Sequence, residues 1–340
     1  MNPFARLVPS RRKPPAGGSF VELGPRELSW VQPWLGREPA RNAWILAALE
    51  AQVRPIPTTL ARPRWFAWAP EGLGSRAPAP GLVVALGRNV HLSHGGATAD
   101  LACMRALARL LLNERLRPSP PSLVPSSGAI VGPADLVETL LDALWPSLGA
   151  TPSRPPSPAN GVAACTVLPG AGGLTLVDRG PQLLLAATRA TLSAQARSPE
   201  LTPSESVDIQ ELILADRAMV REELGRDAFS ETPLDIREMW LTRLEDRRSW
   251  IVRDTDRRLL FKADVAAMSA EVAQIAGVWT KPAMRRRGFA RRGVGELAHW
   301  LLRRVRSVCL AVYADNLPAV RLYEGLGFQP VGSVRALWLL

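Results

Sequence analysis

The chain has 340 residues, 47% of them hydrophobic, which is too long for one ordinary domain and gives enough apolar surface for two cores. Its net charge of +11 is an arginine charge: Lys13, Lys262 and Lys281 are the only lysines among 42 basic residues. The arginines are scattered rather than gathered into a stripe, as a GC-rich coding bias would leave them, so a nucleic-acid surface is not expected; nor is a membrane span, since no run of about 18 uncharged apolar residues occurs.

Residues 1–18 are rich in Arg, Pro and Gly and read as a disordered tail, with no apolar stretch of the kind an export signal needs. ARNAWILAALEA predicts an amphipathic helix, and RWFAWA, GLVVALG and NVHLS predict three strands parted by turn residues. His91 and His94 make an H-x-x-H with no carboxylate or third ligand beside it, so no metal site is expected. A helix follows from Asp100, a plausible N-cap, to about Leu112, then the run SGAIVG and the helix PADLVETLLDALW. TPSRPPSPAN is a loop, LTLVD and QLLLAAT are strands completing a first domain over 19–198, and RSPELTPSES is a linker into a second domain over 199–340. Cys103, Cys165 and Cys309 lack any C-x-x-C spacing, which argues against zinc or a disulfide framework and fits a reducing, cytoplasmic setting.

The second domain opens with VDIQELILADRAMVREELG, a helix stopped at Gly225, and a further helix over LDIREMWLTRLED. Strands SWIVRD, RRLLFKADVAAM and VAQIAGVWT come next. After an Arg/Gly loop come a helix over about Arg292–Arg304, the strand VCLAVY, a helix over PAVRLYEGLG and a closing pair, FQPVGSV and RALWLL. A strand ending in VWT, then KPAMRRRGFARRG, then a helix is an arrangement that holds anions. Unpaired N–H groups of the first turn and the helix dipole face the ligand, Gly288 and Ala290 keep the backbone accessible, and arginines neutralise charge. Asn316 stands where it can cap the next helix, with Pro318 in its first turn; Tyr323, seven residues on, shares its face. The chain uses 11 Trp and 7 Phe but only 2 Tyr, so tyrosine is not its habitual aromatic filler and a hydroxyl is expected to matter at Tyr323.

VWTKPAMRRRGFA followed by ADNLPAVRLYEGLGF resembles the two signature motifs of the GNAT N-acetyltransferase superfamily, Q/R-x-x-G-x-G/A and N-x-x-A-x-x-L-Y-x-x-x-G-F, from Arg285, Gly288 and Ala290 to Asn316, Ala319, Leu322, Tyr323, Gly327 and Phe328. Arg286 is a departure: many relatives have Gly there, so its φ is expected to be negative. REPARNAWILAALE, GLVVALG and GAIVGPADLV resemble a degenerate acetyltransferase-like domain that precedes the catalytic one in some members. The turn HGGATAD lacks R-x-x-G-x-G/A, so that domain is expected to bind no acetyl-CoA.

The resemblance implies an α+β (mixed α/β) architecture of tandem GNAT-like folds, each a mostly antiparallel twisted sheet flanked by helices, with the C-terminal copy intact. It implies an acetyl-CoA cosubstrate held by Val278, Trp279, Thr280, Arg285, Arg286, Arg287, Gly288, Phe289, Ala290, Arg291, Asn316 and Tyr323, with VAQIAGVWT and VCLAVY splayed around the pantetheine arm. A backbone N–H near Val278 would polarise the thioester, and Tyr323 would protonate the departing thiolate. The base is Glu271 or one of Glu222 and Glu223. The acceptor is an amine, whether small molecule, peptide or protein lysine. A non-catalytic acyl-CoA sensor or interaction protein is the alternative reading.

Overall fold

The computed structural model describes residues 18–51, 63–69, 82–87, 89–94, 100–114, 128–148, 166–169, 175–194, 200–224 and 240–339. The expected tail up to residue 17, the Pro/Ser loop after 150 and the first part of the helix expected from 234 lie outside them. No described helix is long and apolar enough to cross a membrane.

Two compact units divide the chain, and neither is continuous in sequence. The first takes residues up to 156, then 165–181 and 334–340; the second takes 182–333 together with 157–164. The division expected at 198/199 therefore falls elsewhere, for a reason visible in the strand pairing. LTLVD and QLLLAAT are one strand, β7 (Thr175–Thr188), and the closing pair FQPVGSV and RALWLL is also one strand, β13 (Gln329–Leu339). The second half of β7 pairs inside the second unit, and the second half of β13 pairs inside the first.

In the first unit β1 (Ser19–Glu22), β2 (Arg64–Ala69), β3 (Leu82–Leu86) and β4 (Val90–His94) form an antiparallel sheet in chain order. β4 then pairs in parallel with β5 (Gly128–Pro133), and β5 pairs antiparallel with Val334–Leu339. The parallel step needs a crossover, supplied by α3 (Leu101–Glu114). Asp100 caps that helix as its sequence predicts, its Oδ1 accepting from Cys103 N at 2.7 Å. With α4 (Ala134–Leu148), α3 covers one face, burying Met104, Leu107, Leu111, Val137 and Leu140 against Phe66, Val84 and Leu92; Leu337 of the chain's last strand joins this core. Arg335 binds Asp178 with Nε at 3.1 Å and Nη2 at 2.5 Å, a bidentate pair with little exposure that pins the last strand beside the hairpin of β6 (Thr166–Pro169) and β7. Sequence patterning missed β1 and the helix α1 (Pro25–Leu35). SFVE is too short to show alternation, and Pro33 lies inside the helix. α2 (Ala43–Ala51) is the predicted ARNAWILAALEA helix.

The second unit repeats the order. β8 (Thr202–Pro203), β9 (Ser249–Arg253), β10 (Leu259–Met268) and β11 (Val272–Thr280) are antiparallel neighbours, β11 is parallel to β12 (Ser307–Tyr313), and β12 is antiparallel to Gln182–Thr188. The crossover α7 (Phe289–Leu302) and the short α8 (Leu317–Glu324) pack on one face over Phe261, Ala273, Ile275 and Leu310. α5 (Ile209–Leu224) and α6 (240–245) pack on a second cluster with Trp240, Ile251 and Leu259. α7 begins at Phe289, three residues earlier than apolar periodicity alone placed it.

In the first unit His91 stacks on Trp44, centroids 5.3 Å apart and planes 11° from parallel, and burial lowers its pKa from 6.5 to about 4. The folded state resists a proton that the unfolded chain accepts, so stability present above pH 6.5 is lost as pH falls toward 4, by up to about 3 kcal/mol. Urea unfolding of His91→Phe, which keeps a stacking ring without the titration, is expected to lack this loss; an unchanged pH profile would refute the assignment.

Candidate active site

The second unit owes its opening to a parallel pair that stops early. β11 and β12 are in register from Val272 and Ser307 to Ile275 and Leu310, and there the pairing ends although both strands continue. On its other side β11 stays paired with β10 to Thr280 opposite Phe261, so the free edge from Ala276 to Thr280 faces the gap. A bulge sits at the same place: Lys262 pairs with Trp279 and Asp264 with Ala276, leaving Gly277 and Val278 opposite Ala263 alone. Gly277 has φ +56, and a Cβ there would lie within 3.0 Å of Lys262 Nζ and closer still to Asp264 Oδ2. Glycine there avoids both the strain of a left-handed turn and a clash with the ion pair.

β11 leads past a short 3-10 turn, Pro282–Met284, into the arginine loop. Gly288, with φ +81, is the N-cap of α7 and offers no side chain to the helix end. Among the described residues nothing accepts from the backbone N–H groups of Arg286, Gly288, Phe289, Ala290 or Arg291, while that of Arg287 closes the turn over Arg285 and Arg286. Five donors at the positive end of a 14-residue helix make an anion cradle. Arg286 departs from expectation: its φ is +64, so a non-glycine residue occupies the left-handed conformation. That region is open to other residues at a cost of about 1 kcal/mol, which the neighbouring turns impose here.

The arginines divide by role. Arg285 is engaged, donating through Nη2 to both carboxylate oxygens of Glu222 at 2.8 Å and through Nε to Thr280 O at 3.1 Å. Arg291 donates to Gly325 O at 3.1 Å and ties the start of α7 to the end of α8. The exposed guanidinium groups of Arg286 and Arg287 have no described partner and are free to meet a ligand's charge.

Val278, Phe289 and Ala290 pack against the same hydrophobic cluster that contains Tyr323. Tyr323 is 7% exposed, its ring edge-on to Phe328 at 6.2 Å; burial, then the charge of Glu223, push its pKa well above the ordinary phenol range. Asn316 caps α8, Oδ1 accepting from Ala319 N at 3.3 Å. The Trp279 ring packs into the α5–α6 cluster, so only its backbone is available along the strand.

Glu271 is not brought to the gap. It precedes the opposite end of β11, about 20 Å of strand from Val278, where it pairs with Arg306 at 3.3 Å and its carbonyl accepts from the N–H groups of Arg306 and Ser307. Patterning misled because a carboxylate beside a strand says nothing about which end of it the gap opens. Beneath the bulge the structure adds a group that motif reading passed over: Lys262, fully buried, 2.5 Å from Asp264 Oδ2 and 2.7 Å from Asp216 Oδ1. Its signal was present in LFKADVA, where two charges interrupt an apolar strand of a chain with three lysines.

The first unit has the same parallel pair without the opening. Pairing of β4 with β5 runs only from Val90 and Ile130 to His91 and Val131, but Gly132 remains so close to Leu92 that a Cβ would lie 3.2 Å from its carbonyl oxygen.

Residues 261–339 match the family of FR47-like proteins. Among solved structures, a Drosophila protein is 12% identical with a TM-score of 0.60 over 95% of this chain and 99% of its own. A tandem GNAT protein from the clavulanic acid biosynthesis pathway is 14% identical with a TM-score of 0.48 over 95% and 98%. A GCN5-related N-acetyltransferase from Sphaerobacter thermophilus is 14% identical with a TM-score of 0.49 over 94% and 95%. No curated protein matches.

The positive φ of Arg286 gives a direct check. Arg286→Val sets a β-branched residue in a left-handed turn and is expected to lower unfolding free energy by about 1 kcal/mol or more, while Arg286→Gly costs nothing. Equal urea midpoints for the two variants would contradict the geometry.

Proposed function

We propose, from the FR47-like, GNAT-related character of residues 261–339, that the protein is an acetyl-CoA-dependent N-acetyltransferase whose second unit transfers acetyl to an amine. The observation that carries this reading is the parting of β11 from β12 shortly before the five unpartnered amides of the loop and helix start. An extended pantetheine arm carries amides that can add to a strand edge, and Val278 and Thr280 lie on the edge that β12 leaves unpaired, with Thr280 O bonded to Arg285. The diphosphate then falls to the amides of 286–291, with Arg286 and Arg287 adding charge. A bulge N–H near Val278 stabilises the oxyanion that forms from the thioester carbonyl.

An alkylamine has a pKa of about 10.4 and must lose a proton before it attacks. With Glu271 at the far end of β11, the candidate base lies on α5, and the charge of Glu223 felt by the Tyr323 phenol favours Glu223 over its neighbour Glu222. The ammonium first gives one proton to the carboxylate, directly or through water; the amine nitrogen then bonds to the acetyl carbon, the carbon–sulfur bond breaks, and the second nitrogen proton leaves through water and replaces the one the phenol gives up. The phenol of Tyr323 gives its proton to the sulfur. Its burial keeps it protonated, and the same desolvation makes the leaving thiolate a stronger base than in water.

In the first unit the turn HGGATAD lacks the R-x-x-G-x-G/A spacing and, among the described residues, Gly132 stays close to Leu92, which supports a partner or scaffold role for it rather than a second transfer. Tyr323→Phe is expected to reduce thiol release from acetyl-CoA and an amine panel by about 10²-fold while leaving calorimetric acetyl-CoA affinity unchanged. An acyl-CoA sensor would bind the thioester, release no thiol with any amine and be indifferent to the substitution.

A further inference from the structure

Lys262 has no place in the steps above, yet it is the most deeply buried charge among the described residues, with 0% of its surface exposed. Its ammonium sits 2.5 Å from Asp264 Oδ2, with which it is hydrogen-bonded, 2.7 Å from Asp216 Oδ1, and over the ring of Trp240 at 5.3 Å. Asp264 is fixed in turn by Ser249 Oγ at 2.8 Å, and Arg243 approaches Asp216 at 3.8 Å. The cluster joins α5, α6, β9 and β10.

A buried ion cluster is a poor way to gain stability, because taking charges out of water costs several kcal/mol each and apolar packing does the same work more cheaply. What such a cluster does well is hold a fixed geometry. This one stands directly under the β11 bulge: the space a Cβ of Gly277 would fill is occupied by Asp264 Oδ2 and Lys262 Nζ. The register shift that makes the bulge lies between Lys262 and Asp264 themselves, so the two strand residues that carry the ion pair flank the single residue, Ala263, opposite Gly277 and Val278. One residue before the bulged pair, Ala276 is the first residue of β11 without a partner on β12.

We infer that Lys262, clamped by Asp216 and Asp264, is a positioning residue for acyl transfer: it props the Gly277–Val278 bulge so that a backbone N–H points into the gap at the thioester carbonyl. The inference rests on the acetyltransferase reading, and its test separates the two. An N–H that is displaced rather than removed leaves the diphosphate contacts intact, so the loss falls on the chemical step and not on cofactor affinity.

The test uses the full chain and acetyl-CoA carrying carbon-13 at the carbonyl. In the wild type the bound carbonyl resonance is expected to move downfield of the free one, as a polarised thioester does. In Lys262→Met it is expected to return toward the free position, with kcat lowered about tenfold or more and the affinity for CoA itself unchanged. Retention of both the shift and kcat in Lys262→Met overturns the inference. If that variant fails to fold, Asp216→Asn, which keeps shape and weakens the clamp, is judged by the same two readouts. A wild type that binds no acetyl-CoA defeats the function on which the inference rests, whereas a wild type that binds and shifts the signal, beside a variant that shifts it equally, defeats the inference alone.

Discussion

A sheet is held together by its ladder of backbone hydrogen bonds, and the second unit depends on breaking that ladder in one place. β11 and β12 share four registered pairs and then part. An open strand edge inside a sheet is costly, since its N–H and C=O groups lose partners without gaining water freely. The structure tolerates it because β11 keeps its other neighbour: β10 pairs with it to Thr280, and the cluster around Lys262 braces it from below. The same strand then delivers the chain to the loop where Gly288 starts α7 with a row of free amides. Opening, bulge and anion cradle all lie within residues 276–291, so one segment sets the geometry of the gap and the cradle, to which α8 adds Tyr323.

The two units share strand order, one parallel step and a final antiparallel strand taken from elsewhere in the chain. They differ where chemistry would need them to. In the first unit Gly132 draws its strand onto Leu92, and beside it Ser93 donates to Asn42, and Asn42 donates to Leu35 O at 2.8 Å. That unit is also completed by Val334–Leu339, locked by the Arg335–Asp178 pair and by Leu337 in its core. Residues 334–339 thus belong to the first unit's sheet, with Leu337 in its core.

Much of this was legible in the residues. VAQIAGVWT gives the bounds of β11, Asp100 and Asn316 announce helix caps, and the R-x-x-G-x-A spacing marks the cradle because a bare helix start needs small residues there. The exchange of strands was not legible, since LTLVDRGPQLLLAAT reads as two strands around Gly180 and Pro181, and only long-range pairing shows it to be one. The sign of φ at Arg286 was beyond reach because the turn, not the residue, decides it. Glu271 looked eligible by type and was excluded by position, and Lys262 was passed over because pairing across strands and from α5, rather than any motif, makes a buried lysine tolerable.

The central claim is that acetyl-CoA lies in the gap of the second unit with its diphosphate on the loop amides. Backbone hydrogen exchange with and without acetyl-CoA measures this most directly, because the bonds at issue are made by the amides themselves. The account predicts slowed exchange at 276–280 and 286–291 and no change at 90–94 or 128–133. Unaltered exchange in the first two segments, or protection confined to the first unit, would contradict it.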